Sequence, residues 1–288
     1  MSSDLTPGSP EWMRVVTASK VAAILGLSPW QSPRALWHQM HGDLPNTAET
    51  DTTRRGHYLE PAILAWWRDQ HPEFLGVLDL SPSYTLGDWA AATPDARAVE
   101  PEHGHDVLVE AKSTAQDWDE LPAYYLTQVI WQMHVSGIHR CHVPVIGPRL
   151  VFTEFIVDYD DYADDALVIE QRAREFYDSL AADVPPPLDD TVATYDAVRK
   201  IHPDIEPKAE VELDATTARQ LVEWHDELES TKKSDRLAKS TVIDAMGRAQ
   251  YATHNGVRIA RRQPGKYGVT FVVVAKPADL PDRKETAA

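Results

Sequence analysis

The stretch 93–114, TPDARAVEPEHGHDVLVEAKST, holds three residues of types that can cage a hard cation beside an ammonium: Asp95, Glu110 and Lys112. Its apolar run 107–109 reads as a strand that ends in Glu-Ala-Lys. Side chains alternate along a strand, so Glu110 and Lys112 share one face and Ala111 takes the other. Magnesium takes oxygen ligands, usually one or two carboxylates with water and phosphate. Asp95 and Glu110 on neighbouring strands, with the backbone carbonyl of Ala111 between them, suit such an ion. Lys112 would then orient an attacking water or stabilise charge building on a phosphate. Glu60, in GHYLEP near the start of a helix, is a candidate third carboxylate. Taken alone, acidic-x-lysine is frequent in charged proteins and fits a solvated strand edge equally well.

The elements that must position these groups are readable from periodicity and punctuation. VTASKVAAILG gives a helix capped at Thr17 or Ser19, and SPRALWHQMHG gives one with Ser32 as N-cap and Pro33 behind it. TRRGHYLEPAILAWWRDQHP gives a third, with Leu59, Ile63 and Trp66 on one face. Strands are expected near 74–80, 83–86, 88–92, 96–99 and 107–113. The amphipathic LPAYYLTQVIWQMHVSG follows, then strands near 140–146 and 150–157 and an acidic-ended helix over 158–183. VPPPLDD marks a boundary. Beyond it come a long helix with a sparse stripe (Leu221, Trp224, Leu228, Leu237), a hairpin turning at Asn255-Gly256 and a last strand. The order implies an α/β core over 1–185, a proline-containing linker over 186–206, and a helix plus β-hairpin extension over 207–288.

Composition narrows the class. The 288 residues are 43% hydrophobic and 25% charged, as in a globular chain, and no apolar run approaches the roughly 20 residues that span a bilayer. The start MSSDLTPGSPEW has neither a basic region nor an apolar core, so a secretory signal is not expected. Cys141 is the single cysteine, which excludes an intrachain disulfide and a four-cysteine metal site and fits a reducing, cytoplasmic setting. A net charge of −17 argues against a general nucleic-acid coat. The charge is uneven: residues 231–288 carry 12 Lys and Arg against 5 Asp and Glu. His57, His103 and His105 lack partners at metal spacing along the sequence, and Trp30 and Trp37 read as core residues.

Four blocks in order, TASKVAAILGLSPW, RGHYLEP, the PD and ExK pair, and YYLTQVIWQMHVSG, resemble YqaJ-type viral recombinases and lambda exonuclease, within the PD-(D/E)xK nuclease superfamily. The resemblance covers roughly residues 12–180. It implies a restriction-endonuclease-like fold, a mixed central sheet flanked by helices. It implies a Mg²⁺-dependent exonuclease, with Mn²⁺ substituting, that digests one strand of linear duplex DNA from a 5′ end. The 3′ overhang would serve phage-type recombination through a single-strand annealing protein, in a bacterial or phage-infected cell.

By the same resemblance Asp95 and Glu110 are metal ligands, Lys112 is the catalytic lysine, Glu60 is the acidic member of its block, and Gln128 lies beside the site. Ser19 and Thr93 match a pocket for the 5′ phosphate. Relatives place an arginine about five residues before TAS; here Arg14 stands closer. Arg14, Lys20, Arg34, Arg54 and Arg55 are candidates to line the mouth of the cleft, and one of Tyr124 and Tyr125 to face DNA. A ring of three subunits, as in lambda exonuclease, is a further implication. A structure-selective endonuclease of the same superfamily and a non-catalytic DNA-end or partner-binding module are the competing readings.

Overall fold

The protein is described by a computed structural model covering residues 9–45, 50–78, 83–266 and 268–280, with backbone alone for 75–78. The chain divides into two compact units, 1–205 and 206–288.

In the first unit, Ser9 caps α1 (Pro10–Met13), and β1 (Val16–Thr17) leads directly into α2 (Ala18–Ile24). Ser32 caps α3 (Pro33–His41), its hydroxyl accepting from Ala35 N at 3.1 Å, and Gly42 closes the helix at φ 100°. Thr50 caps α4 (Asp51–Gln70). This helix begins before TRRGH, so Glu60 stands in mid-helix ahead of Pro61 rather than near the start. Its buried face is Ile63, Leu64 and Trp67, one step round from the expected Leu59, Ile63 and Trp66. Trp66 instead stacks on Phe152, ring centres 4.9 Å apart.

The strands then follow: β2 (Leu75–Leu78), β3 (Tyr84–Leu86), β4 (Ala90–Ala92), β5 (Ala96–Val99), β6 (Asp106–Val109) and β7 (Lys112–Ser113). Positions 79 and 80 of the expected first strand lie outside the described residues. After α5 (Ala123–Ser136) come β8 (Arg140–Ile146), β9 (Phe152–Asp158), α6 (Ala163–Ala181) and α7 (Val192–Ile201).

The main sheet runs β2, β5, β6, β8, β9, mixed in direction. β6 and β7 both pair parallel with β8 at one register, so they are two segments of a single run interrupted at Glu110–Ala111. Parallel neighbours need a crossover, which α5 supplies. Leu108, Cys141, Val143 and Val145 pack under Val129 and Met133 of α5, while Ala96, Ala98, Val107 and Val109 pack against Leu64 and Trp67 of α4. Each face therefore has its own apolar layer, worth about 1.5–3 kcal/mol for each large side chain buried. A small sheet, β1–β4–β3, holds α2 and the path into Asp95. The architecture is the mixed sheet flanked by helices that the sequence implies.

Residues 186–206, expected as a linker, include α7. Thr194 Oγ1 donates to Ser32 Oγ at 2.7 Å, and Arg34 Nη1 donates to Pro186 O at 2.6 Å, so this stretch is tied to α3.

The second unit contains α8 (Ala215–Met246), capped by Asp214, and the antiparallel strands β10 (Tyr251–His254), β11 (Val257–Gly265) and β12 (Gly268–Val273). Asn255 and Gly256 turn with positive φ, 48° and 82°, as the hairpin pattern requires. The stripe Leu221, Trp224, Leu228 and Leu237 is exposed along α8. No helix among the described residues is long and apolar enough to cross a membrane.

Candidate active site

The carboxylates and the lysine meet where β5, β6 and β7 come together. Asp95 directly precedes β5, whose Ala96 is paired with Val109, and Glu110 directly follows Val109. Carried one residue further, that antiparallel register sets the two acids directly opposite each other. The strand interruption has a local cause. Glu110 N still donates to His142 O at 2.9 Å, but Ala111 N turns to Asp95 Oδ2 at 2.8 Å. Lys112 Nζ reaches back along the same face to Glu110 Oε1 at 2.6 Å.

Glu110 is buried, 3% exposed, and α5 supplies its other partners. Gln128 Nε2 donates to Oε1 at 2.5 Å and Gln132 Nε2 to Oε2 at 2.8 Å. Gln132 is absent from the residues singled out by sequence. It lies one helical turn after Gln128 on the same face, a spacing that could have revealed it. Its Oε1 is buried with no partner among the described residues.

Glu60 enters from α4, close enough to feel Glu110 and Lys112 electrostatically. Partial burial and then the Glu110 charge raise its carboxyl, eased by His57 and Lys112. Burial, then the charges of Glu110 and Glu60, push Asp95 well above the ordinary carboxylate range, with Lys112 and the Ala111 N–H pulling back. Burial works to lower Lys112, but Glu110 and Asp95 outweigh it and hold the ammonium above its usual value. Three acids thus crowd one lysine.

This donor set fits a hard divalent cation. All the donors are oxygens, and negative charge exceeds what Lys112 offsets. A carboxylate offers about four lone-pair sites. Glu110 uses three on Lys112, Gln128 and Gln132, which leaves one. Asp95 uses one on Ala111 N, so most of its capacity stays open.

Tyr125 lies beneath Lys112, the ammonium 4.9 Å from the ring centre. It packs among Trp118, Tyr124 and Trp30. Trp37 is core as expected, whereas Trp30 is 66% exposed.

The residues expected at the 5′-phosphate pocket keep mostly local contacts. Ser19 Oγ lies 3.2 Å from Thr17 Oγ1, and Thr93 Oγ1 lies 2.9 Å from Ser83 Oγ. Because β1 runs parallel to β4, with Thr17 beside Ala91, Ser19 and Thr93 leave the small sheet at the same end. Arg14, Arg54 and Arg55 are exposed, and Arg54 Nη1 lies 3.4 Å from Asp51.

Two cations read as cleft-lining are engaged elsewhere. Arg34 holds Pro186 O. Lys20, 2% exposed, donates to Trp12 O and Val15 O and sits over the Trp12 ring. Burial lowers its ammonium to about 7.

A mixed sheet flanked by helices, with acids and a lysine gathered at one end of its strands, is the restriction-endonuclease-like class. Within that class, residues 12–139 match the profile of the YqaJ-like viral recombinase domain. The resemblance seen in the motifs is borne out over this segment, which is similar to that domain. The uncharacterized protein YqaJ of Bacillus subtilis (strain 168) is 21% identical over 229 residues, 74% of this chain and 70% of that protein. Among solved structures, an alkaline exonuclease (LHK-Exo) from Laribacter hongkongensis aligns with TM-score 0.47 and 20% identity, covering 61% of this chain and 94% of its own. A phage-related exonuclease from Haemophilus somnus 129PT aligns with TM-score 0.43 and 12% identity, covering 59% and 96%.

Proposed function

We propose that this chain is a Mg²⁺-dependent deoxyribonuclease that digests one strand of linear duplex DNA from its 5′ end and leaves a 3′ overhang. One observation carries the reading: Asp95, Glu110, Glu60 and Lys112, spread over fifty residues of sequence, converge with Lys112 Nζ 2.6 Å from Glu110 and Ala111 N 2.8 Å from Asp95.

Asp95, Glu110 and the Ala111 carbonyl would hold the ion, with Glu60 completing the acidic wall. When bound, a divalent ion supplies Lewis-acid polarisation of a phosphoryl oxygen and a more acidic water. The chain's own groups do the rest. Lys112 keeps its proton because Glu110 and Asp95 stabilise the ammonium. It presents a fixed positive charge to the phosphate, where charge builds as the P–O bond breaks. Gln128 and Gln132 fix both oxygens of Glu110, so the carboxylate is positioned before substrate arrives. Ser19 and Thr93 would meet the terminal phosphate, with Arg14, Arg54, Arg55 and Tyr125 along the strand. The 3′ strand would pass to an annealing protein, and a ring of subunits around the duplex would favour processive digestion.

The test is digestion of linear duplex with Mg²⁺ by the wild type and by Lys112→Ala. Loss of activity in the variant supports the assignment, and equal digestion by both sinks it. Cutting of a covalently closed circle would favour an endonuclease, because an exonuclease needs an end. Absence of Mg²⁺ and Mn²⁺ binding would favour an inert DNA-end module.

A further inference from the structure

On the other face of the main sheet, against α4, lies a cluster of different chemistry. His71 comes from the C-cap of α4, His142 from β8 and Glu154 from β9. One ligand atom from each lies within 4.8 Å of the others. His71 Nε2 is 2.9 Å from Glu154 Oε2 and 3.1 Å from Oε1, and His142 Nδ1 is 2.8 Å from Oε1. We propose that His71, His142 and Glu154 form a transition-metal site for a zinc-class ion, separate from the carboxylate site and bracing α4 to β8 and β9.

The donor set decides the class of ion. Two imidazoles and one carboxylate suit zinc and its neighbours, whereas magnesium and calcium take oxygen. Two imidazoles on one tetrahedral ion, bound at about 2.0–2.1 Å, place their ring centres roughly 5 Å apart. His71 and His142 have theirs 5.2 Å apart. Ligand atoms around such an ion sit about 3.3 Å from one another. The present contacts of 2.8–3.1 Å are hydrogen bonds, so an ion must displace protons and open the cluster by a few tenths of an ångström.

The surroundings are those of a built site. Trp67 Nε1 donates to Glu154 Oε1 at 2.8 Å and leaves Oε2 to the ion. Glu73 Oε1 stands 3.2 Å behind His71 Nδ1, the outer carboxylate that commonly orients a ligating histidine. Trp67 and Phe74 wall the rings. His142 is buried, and its Nε2 has no partner among the described residues, so the ring is held through Nδ1. The side chains of His71 and Glu154 are each 18% exposed, which provides an entry path and room for a water as fourth ligand.

The test is titration of the full chain with Co²⁺ alone, read by visible absorption. A tetrahedral site with nitrogen ligands absorbs strongly, and a six-coordinate oxygen site absorbs weakly. One equivalent should raise a strong band that Zn²⁺ abolishes and that persists in Asp95→Asn. His71→Gln should lower the affinity by about 100-fold or more, and Glu73→Gln by on the order of 10-fold. Absence of a strong band in the wild type overturns the proposal and leaves a hydrogen-bonded brace only; this measurement needs no variant to fold. A strong band undiminished in folded His71→Gln and Glu154→Gln overturns it equally.

Discussion

Asp95 and Glu154 are both half-buried carboxylates of one sheet, yet their surroundings drive them in opposite directions. Asp95 faces two further acids and one lysine, and its carboxyl is pushed well above the usual range. Glu154 is also opposed by burial, but hydrogen bonds from His142 and His71 overcome it and lower the carboxyl to about 2. Partners, rather than burial alone, set the sign. The first cluster is short of positive charge and open to a hard cation from outside. The second meets its carboxylate with nitrogen atoms of two imidazoles and an indole, so it suits an ion that binds imidazole.

The largest expected effect separates the clusters by function. Lys112→Ala should lower the rate of linear duplex digestion by on the order of 10²–10³-fold. Trp67→Phe, which removes the indole donor from Glu154, should leave that rate within a few-fold and lower stability by about 1–3 kcal/mol. Rates from single-turnover digestion and stabilities from urea unfolding give both numbers. Equal losses of rate in the two variants would mean that the clusters act as one device.

Next is the support of Glu110. Gln132→Leu keeps the volume and removes a buried donor, so the apparent Mg²⁺ affinity should fall by about 10–100-fold. The measurement is rate against Mg²⁺ concentration, and an unchanged midpoint would make Gln132 a packing residue. Smaller still is a contrast in melting temperature without divalent ions. Asp95→Asn removes an unfavourable charge while its amide oxygen can still accept from Ala111 N, so the variant should melt higher than wild type. Glu154→Gln removes the anion that two imidazoles face and should melt lower. The same sign for both would break the comparison at its root.

The two clusters were not equally legible in the sequence. Glu110 and Lys112 are two apart on a strand, so alternation places them on one face without knowledge of the fold. Asp95 joins them because β5 and β6 are near neighbours in the chain. Glu154 is 12 residues from His142 but 83 from His71, and nothing local signals that α4 ends against β9. Gln132 lies inside the same block as Gln128, but the resemblance assigns a role to Gln128 alone. From its motif alone Glu60 reads as near a helix start, because the Thr50 cap precedes that motif. Charge alone makes Arg34 and Lys20 candidates for the cleft mouth, yet carbonyl oxygens hold them elsewhere.

Lys20 carries the smallest predicted effect, one of slope. Burial lowers its ammonium from 10.5 to about 7 in the folded protein. Between these values the unfolded chain holds a proton that the folded chain has released. Stability must therefore rise with pH across that window, and the gain is absent below about 7. The carbonyls of Trp12 and Val15 and the Trp12 ring favour the charged form, so the slope should stay below the ~1.4 kcal/mol per pH unit of one full proton. Lys20→Met has no proton to release, and urea unfolding at a series of pH values should show wild type gaining on it as pH rises. Parallel curves would mean that the carbonyls keep Lys20 charged despite its burial, and that it pins the segment carrying Arg14 at every pH.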